Sequence, residues 1–444
     1  MVSQKIRAKF REFSLPAGIT GESSLIIPTI KSTPFFKYGV HAYYFFNFKT
    51  RKGLRVTINH KDIIQPGLTR FIKADYRTYN YLAKLKFLFR RYHYNFNVLE
   101  QMMLMTIPHT VTRVQNGHFL INLWSYFGFL DVDCKDRRVR YNLIEESKDD
   151  CVLGSQQFYD ERTDELYYLS YSLKDSLKRI VAPERKVFCR IAKRENRTGK
   201  TKNIWSGEFA DYVHDIAVNQ TRQYCVICEL GMYTGRNGKL IPSRALAVDL
   251  KNKKHWIIPR FMTAAHAQFD PDEPDIVYFS NHNFNYTHGS VLKVLRKGGF
   301  TLNFRGPASV YKYRLTADGP VELGVFTEPE FFRVPTFHVF NHRGRKILAG
   351  IGFPNHIFIA DANSMKYIKK IRVDHPAGLK ARYRNVLCIT GAISPSIDGE
   401  KIFAQTTKSF QAVDVASGKA EAILTPFYNH PNSNHMLTAT ETDW

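Results

Sequence analysis

Seven short segments of the 444-residue chain open in similar ways, and five of them carry a histidine at the opening. They are Pro108-His109-Thr110-Val111, Ser155-Gln156-Gln157-Phe158, Val213-His214-Asp215-Ile216, Ala265-His266-Ala267-Gln268, Phe337-His338-Val339-Phe340, Gly391-Ala392-Ile393-Ser394 and Asn434-His435-Met436-Leu437. With His109, Gln157, His214, His266, His338, Ala392 and His435 as markers, neighbours lie 43 to 72 residues apart. Neutral imidazoles brought together suit a transition metal, because each offers a nitrogen lone pair without adding charge. A lone histidine at a strand start is more often structural; five in register bring the metal reading level with that one.

Such convergence needs a fold that gathers separate segments around an axis. From about residue 105 onward, short apolar, β-branched or aromatic runs alternate with turn signals such as Asn116-Gly117, Asp318-Gly319, Asp398-Gly399 and Ser417-Gly418. Aromatic residues make up 14% of the chain, a composition that strands favour. Several openings lead through a turn into a second strand, as in Asp270-Pro271-Asp272-Glu273-Pro274-Asp275-Ile276-Val277-Tyr278-Phe279. A period in the tens of residues selects a propeller among all-β folds. The expectation is an all-β chain: one seven-bladed β-propeller over residues 1–444. His435 lies too close to Trp444 to begin a whole blade, so the N-terminal runs Gly39 to Phe48 and Gly53 to His60 are expected to complete the last blade and close the ring. Within residues 61–105 the stretch from Leu68 to Met105 is basic and aromatic and reads as a helical cap or surface segment.

The local sequences around three of the histidines resemble those of carotenoid cleavage oxygenases. His214-Asp215-Ile216-Ala217-Val218 resembles that family's H-D-x-A-x segment. Thr263-Ala264-Ala265-His266-Ala267-Gln268-Phe269-Asp270-Pro271 is similar to its A-H-x-x-x-D-P segment, and Phe337-His338-Val339-Phe340-Asn341 to its F-H-x-x-N segment. A further histidine near the C-terminus corresponds to His435, with His430 as the other candidate. The resemblance implies Fe(II) held by His214, His266, His338 and His435, with dioxygen cleaving a C=C bond of a lipophilic or aromatic substrate to carbonyl products. Where the family's third motif runs on to an acid, this chain has Asn341-His342-Arg343-Gly344-Arg345, so a carboxylate that would orient a ligand histidine is not found there. Asp215 directly follows His214, and on a regular strand it would point away from the centre.

A rival reading uses the same residues. His266 to Phe279 also resembles the H-x-Q-F-x-P-x-x-P segment of oligogalacturonate lyases, which are seven-bladed propellers with a divalent metal. That resemblance implies β-elimination on acidic (uronate) oligosaccharides, with His266 as catalytic base and His338 as ligand to Mn or another divalent metal. The later metal motif of that family would fall near Gly391 to Asp398, where this chain has no histidine. A third reading is a non-enzymatic basic propeller scaffold. In either enzymatic reading His109, Gln157 and His282 are candidates for substrate contact.

Charge and cysteine usage bound the setting. Lys and Arg total 64 against 40 acids, a formal charge of +24 that favours anionic surroundings. No nucleic-acid-binding motif accompanies that charge. Without a secretory signal or a long apolar run, the expected location is cytoplasmic, with peripheral membrane contact through residues 68–105. Cys225 and Cys228 form a C-x-x-C inside a strand-like run, where residues three apart face opposite sides.

Overall fold

In a computed structural model the apolar runs become strands, and burial explains their composition. Tyr224–Glu229 is buried at every position, and Tyr224 to Cys228 reads as a continuous apolar run, as expected of a strand covered on both faces. Lys366–Arg372 lies at a sheet edge and mixes exposed Lys366, Lys370 and Arg372 with a buried Ile371. The structure describes residues 3–16, 24–29, 40–59, 63, 107–115, 117–124, 126–179, 185–209, 213–229, 233–234, 240–241, 244–258, 264–281, 284–287, 301–304, 307–327, 336–352, 355–374, 388, 390–406, 408–424 and 437–439.

The strands form a seven-bladed β-propeller. Blade 1 contains Ile107–Arg113, Phe119–Trp124, Gly128–Asp133 and Arg138–Leu143, with Ser3–Lys5 added at its outer edge. Blade 2 runs through Cys151–Asp160, Glu165–Ser172, Val187–Glu195 and Thr201–Phe209. Blade 3 has Val213–Val218, Tyr224–Glu229, Ala245–Asp249 and His255–Ile258; blade 4 has Ala264–Phe269, Ile276–Asn281, Ser309–Thr316 and Gly319–Thr327. Blade 5 has Phe337–His342, Arg345–Gly352, His356–Asp361 and Lys366–Arg372; blade 6 has Thr390–Pro395, Lys401–Thr406, Phe410–Asp414 and Ala420–Leu424. Blade 7 mixes both ends of the chain, in the order Leu437–Ala439, Ser24–Thr29, Val40–Asn47, Lys52–Asn59 and Ala8–Ser14. Each first strand touches the first strand of the next blade, and Leu437–Ala439 touches Ile107–Arg113. These first strands are therefore the inner strands of a closed ring.

Among the described residues, helix is confined to Leu173–Arg179 and a 3-10 turn at Glu145–Asp149. None is long and apolar enough to cross a membrane. The helical cap expected within residues 61–105, with the membrane contact through 68–105, lies outside the described residues, apart from Ile63, which is buried between blades 7 and 1.

Apolar clusters fill the spaces between blades, and polar latches tie the rim where inner strands turn back. Arg222 of blade 3 pairs with Asp160 of blade 2, and Asn219 Nδ2 donates to Pro274 O at 2.9 Å. Lys346 Nζ of blade 5 bonds Asp270 Oδ1 after the inner strand of blade 4 at 2.7 Å. His342 Nδ1 donates to Gly399 O at 2.9 Å, and Arg343 pairs with Glu400 at 2.7 Å, joining blades 5 and 6. Gly399 has a φ of +68°, and a Cβ there would run into the carbonyl oxygen of Asn341. Neither backbone can withdraw without breaking the latch. Gly399→Ala is expected to destabilise the protein by about 1–3 kcal/mol, read as a lower urea midpoint. A change within experimental error would show that the two blades separate freely there.

A candidate histidine centre on bulged inner strands

The inner strands share an irregularity at one level. In blade 1 the register shifts between Pro108 and Val111, in blade 2 between Leu153 and Gln157, and in blade 3 between Val213 and Asp215. Blade 4 shifts between Ala264 and Ala267, and blade 6 between Thr390 and Ala392. Each shift leaves extra residue on the inner strand, a β-bulge that re-aims side chains out of the regular alternation. His109, His214 and His266 all sit in these bulges.

The bulges bring those three rings into one row. His109 and His214 meet edge to face with centroids 5.1 Å apart, and His214 and His266 do so at 4.7 Å. All three are buried. Local bonds fix the strands that carry them. Ser155 Oγ donates to His214 O, Thr110 Oγ1 donates to Gln156 Oε1 at 2.5 Å, and the His266 N–H donates to Ser280 Oγ at 3.0 Å.

The bulge at His214 also changes the direction of Asp215. A regular strand would turn it away; instead its Oδ2 accepts the Ala267 N–H of blade 4 at 2.8 Å and lies 3.4 Å from His266 Nδ1. Burial pushes this carboxyl up to about 8, against the N–H groups of Ala267 and Ile216 that hold it down. When ionised, a carboxylate at ion-pair distance behind one nitrogen of an imidazole helps orient the ring and leaves the other nitrogen for a metal or substrate. The acid sought after His338 therefore has a counterpart here, one that the sequence hid because a bulge is a property of pairing.

Other expected residues fall elsewhere. His338 sits in the one inner strand of blades 1 to 6 that pairs without a shift, opposite Ala349. Its Nε2 donates to Ile393 O at 2.8 Å, leaving Nδ1 as its lone-pair nitrogen. Burial lowers its pKa to about 4, although that bond favours the charged form. Gln157 is turned toward blade 1, where Nε2 donates to Thr112 Oγ1 at 2.8 Å and Leu120 O at 3.0 Å; the bulge itself contains Gln156. His282, His430 and His435 lie outside the described residues. Cys225 packs in the cluster shared with blade 2 and Cys228 in that shared with blade 4, on opposite faces, and burial pushes both thiols up.

The row has the spacing of shared ligands. Imidazoles bound at the usual ~2.1 Å metal–nitrogen distance, at angles of about 90–110°, have centroids about 4.5–5.3 Å apart. Both observed separations lie in that interval. Among the described residues, no three His, Cys, Asp or Glu side chains are arranged to hold a metal ion. The described residues do not by themselves make up a metal site, and the same separations are those of ordinary edge-to-face ring contacts.

A second, smaller sheet lies beyond the same ends of the strands. Tyr233–Thr234 and Leu240–Ile241, from the connection after Tyr224–Glu229 in blade 3, join Phe284–Thr287 and Thr301–Phe304, from the connection after Ile276–Asn281 in blade 4. Tyr233 pairs in parallel with Tyr286, so the two connections are tied together.

The likeness to known proteins is structural. No family model matches the sequence, and no curated protein matches it. An apocarotenoid oxygenase mutant from Synechocystis matches 99% of this chain and 96% of its own, with TM-score 0.53 and 12% identity. What the two share is the fold. A chain from a crystal structure of the mitotic checkpoint complex matches 54% of this chain and 62% of its own, with TM-score 0.34 and 9% identity, too low to carry an argument.

Proposed function

We propose that this propeller is a metal-dependent oxygenase that cleaves a C=C bond in a lipophilic or aromatic substrate. The observation that carries the reading is the bulged row of His109, His214 and His266, with Asp215 set behind His266. The whole-length fold likeness to an apocarotenoid oxygenase supports it. His214 and His266 would hold Fe(II), with His435 as a further ligand; His338, on its unshifted strand and bonded to Ile393 O, does not stand with them. Bound iron would supply the capacity to activate dioxygen toward an alkene. Asp215 would keep His266 in the tautomer whose Nε2 lone pair is free, and the burial of all three rings would limit competing water. His109, at the end of the row, would contact substrate.

Elemental analysis of protein purified anaerobically without a histidine tag tests this. Iron near one equivalent per chain is expected. His214→Ala and His266→Ala should each lower it at least about tenfold, with the far-ultraviolet circular dichroism unchanged. Manganese retained in place of iron, and lost only in His338→Ala, would instead favour the lyase acting on uronates. The absence of bound metal after anaerobic reconstitution would leave the scaffold reading.

A further inference from the structure

Blade 6 departs from the histidine pattern in a way that leaves a polar group stranded. Its inner strand bulges between Thr390 and Ala392, so the bulged residue is Gly391, which presents no side chain. On the second strand, Gln405 pairs in register with Ala392 on one side and Phe410 on the other. Both neighbours belong to the apolar cluster that joins blade 6 to blade 7 through Phe46, Phe48 and Phe403. The rings there are stacked, with Phe46 and Phe410 centroids 5.2 Å apart and Phe48 and Phe403 at 5.1 Å.

Gln405 is 0% exposed, and neither its Oε1 nor its Nε2 has a hydrogen-bond partner. In blade 4 the residue behind the bulge, Ser280, is equally buried but accepts the His266 N–H. A primary amide buried in apolar surroundings without partners is costly, and native proteins meet such groups with water or a ligand. This amide offers both acceptor and donor capacity and no charge, and its surroundings are aromatic. We infer that Gln405 recognises a neutral hydroxyl on an aromatic ligand held beside the bulge at Gly391 between blades 6 and 7. The inference rests on no metal and is independent of the oxygenase reading.

The probes are 4-methylphenol and 4-methylanisole, which differ only in the hydroxyl proton and one methyl group. Calorimetric titration of the protein should give saturable binding of the phenol and at least about tenfold weaker binding of the ether, because a site built around a hydroxyl rejects the analogue that cannot donate. Gln405→Leu should abolish that preference. Gln405→Asn, which keeps the amide but withdraws it by one methylene, should weaken the phenol alone, and this guards against a leucine variant that does not fold. Equal binding of the two probes would overturn the inference. So would a wild-type protein that binds neither probe, and a raised melting temperature in Gln405→Leu would then show that the amide faces buried water only.

Discussion

Lys346→Met is expected to destabilise the propeller by about 3–5 kcal/mol, the usual cost of removing one partner of a buried ion pair. The Lys346 side chain is 8% exposed, and that of Asp270 is fully buried. The ammonium also lies 3.3 Å from Asp272 and 3.4 Å from Glu273, and the Tyr278 hydroxyl donates to the second oxygen of Asp270 at 3.1 Å. Methionine keeps the length and apolar contact of the stem, so what it removes is the charge.

The same pair sets an acid dependence. Burial alone would push the Asp270 carboxyl up, but Lys346 and the N–H groups of Asp272 and Glu273 outweigh it and hold it below the ordinary range. A depressed carboxyl contributes stability above the unfolded pKa of about 3.9 and loses it as pH falls through the folded value. Urea titrations over about pH 3 to 7 should therefore show the acid limb of Lys346→Met beginning at higher pH than in the wild type, because burial of Asp270 is then uncompensated. Lys346→Met combined with Asp270→Asn should recover part of the lost stability. A single-variant loss below about 1 kcal/mol would place this pair with exposed ones in effect.

The second large effect concerns Asp215. Asp215→Asn should weaken metal binding about 10–100-fold in chelator competition above about pH 8, where the Asp215 carboxyl is ionised and an amide holds His266 less firmly. Stability should change little, since the asparagine oxygen can still accept the Ala267 N–H. Asp215→Ala is expected to do both kinds of damage, with a stability loss of about 1–3 kcal/mol from backbone N–H groups left without an acceptor. If Asp215→Asn binds metal as tightly as the wild type, the carboxylate serves only to join blades 3 and 4.

The two substitutions separate what sequence patterns reveal from what they conceal. The propeller was legible because strand burial and turn residues are local: Ala265 to Phe279 reads as strand, turn and strand, and it folds that way. The recurrence of histidine at strand openings was legible for the same reason. The bulges were not. A register shift depends on which residue of the neighbouring strand is opposite, so in blade 2 the bulge contains Gln156 where the marker was Gln157, and in blade 6 it contains Gly391 where the marker was Ala392. That offset is small along the chain and decisive in space, since it turns Asp215 toward His266 and turns Gln157 into blade 1. His338 shows the converse: its motif is as good as those of its neighbours, yet its strand pairs without a shift and its Nε2 is taken by Ile393.

The small sheet that pairs Tyr233 with Tyr286 has a mechanical consequence. Thermal breathing of a ring of blades is taken up at its most compliant seams. Blades 3 and 4 share a packed cluster, the Asp215 to Ala267 bond and this extra strand pairing. Several ties resist hinging as well as sliding, so a rotation of either blade against the other must break more than one of them. The 4.7 Å separation of His214 from His266 spans that tied seam, so whatever binds between them meets a gauge set in advance.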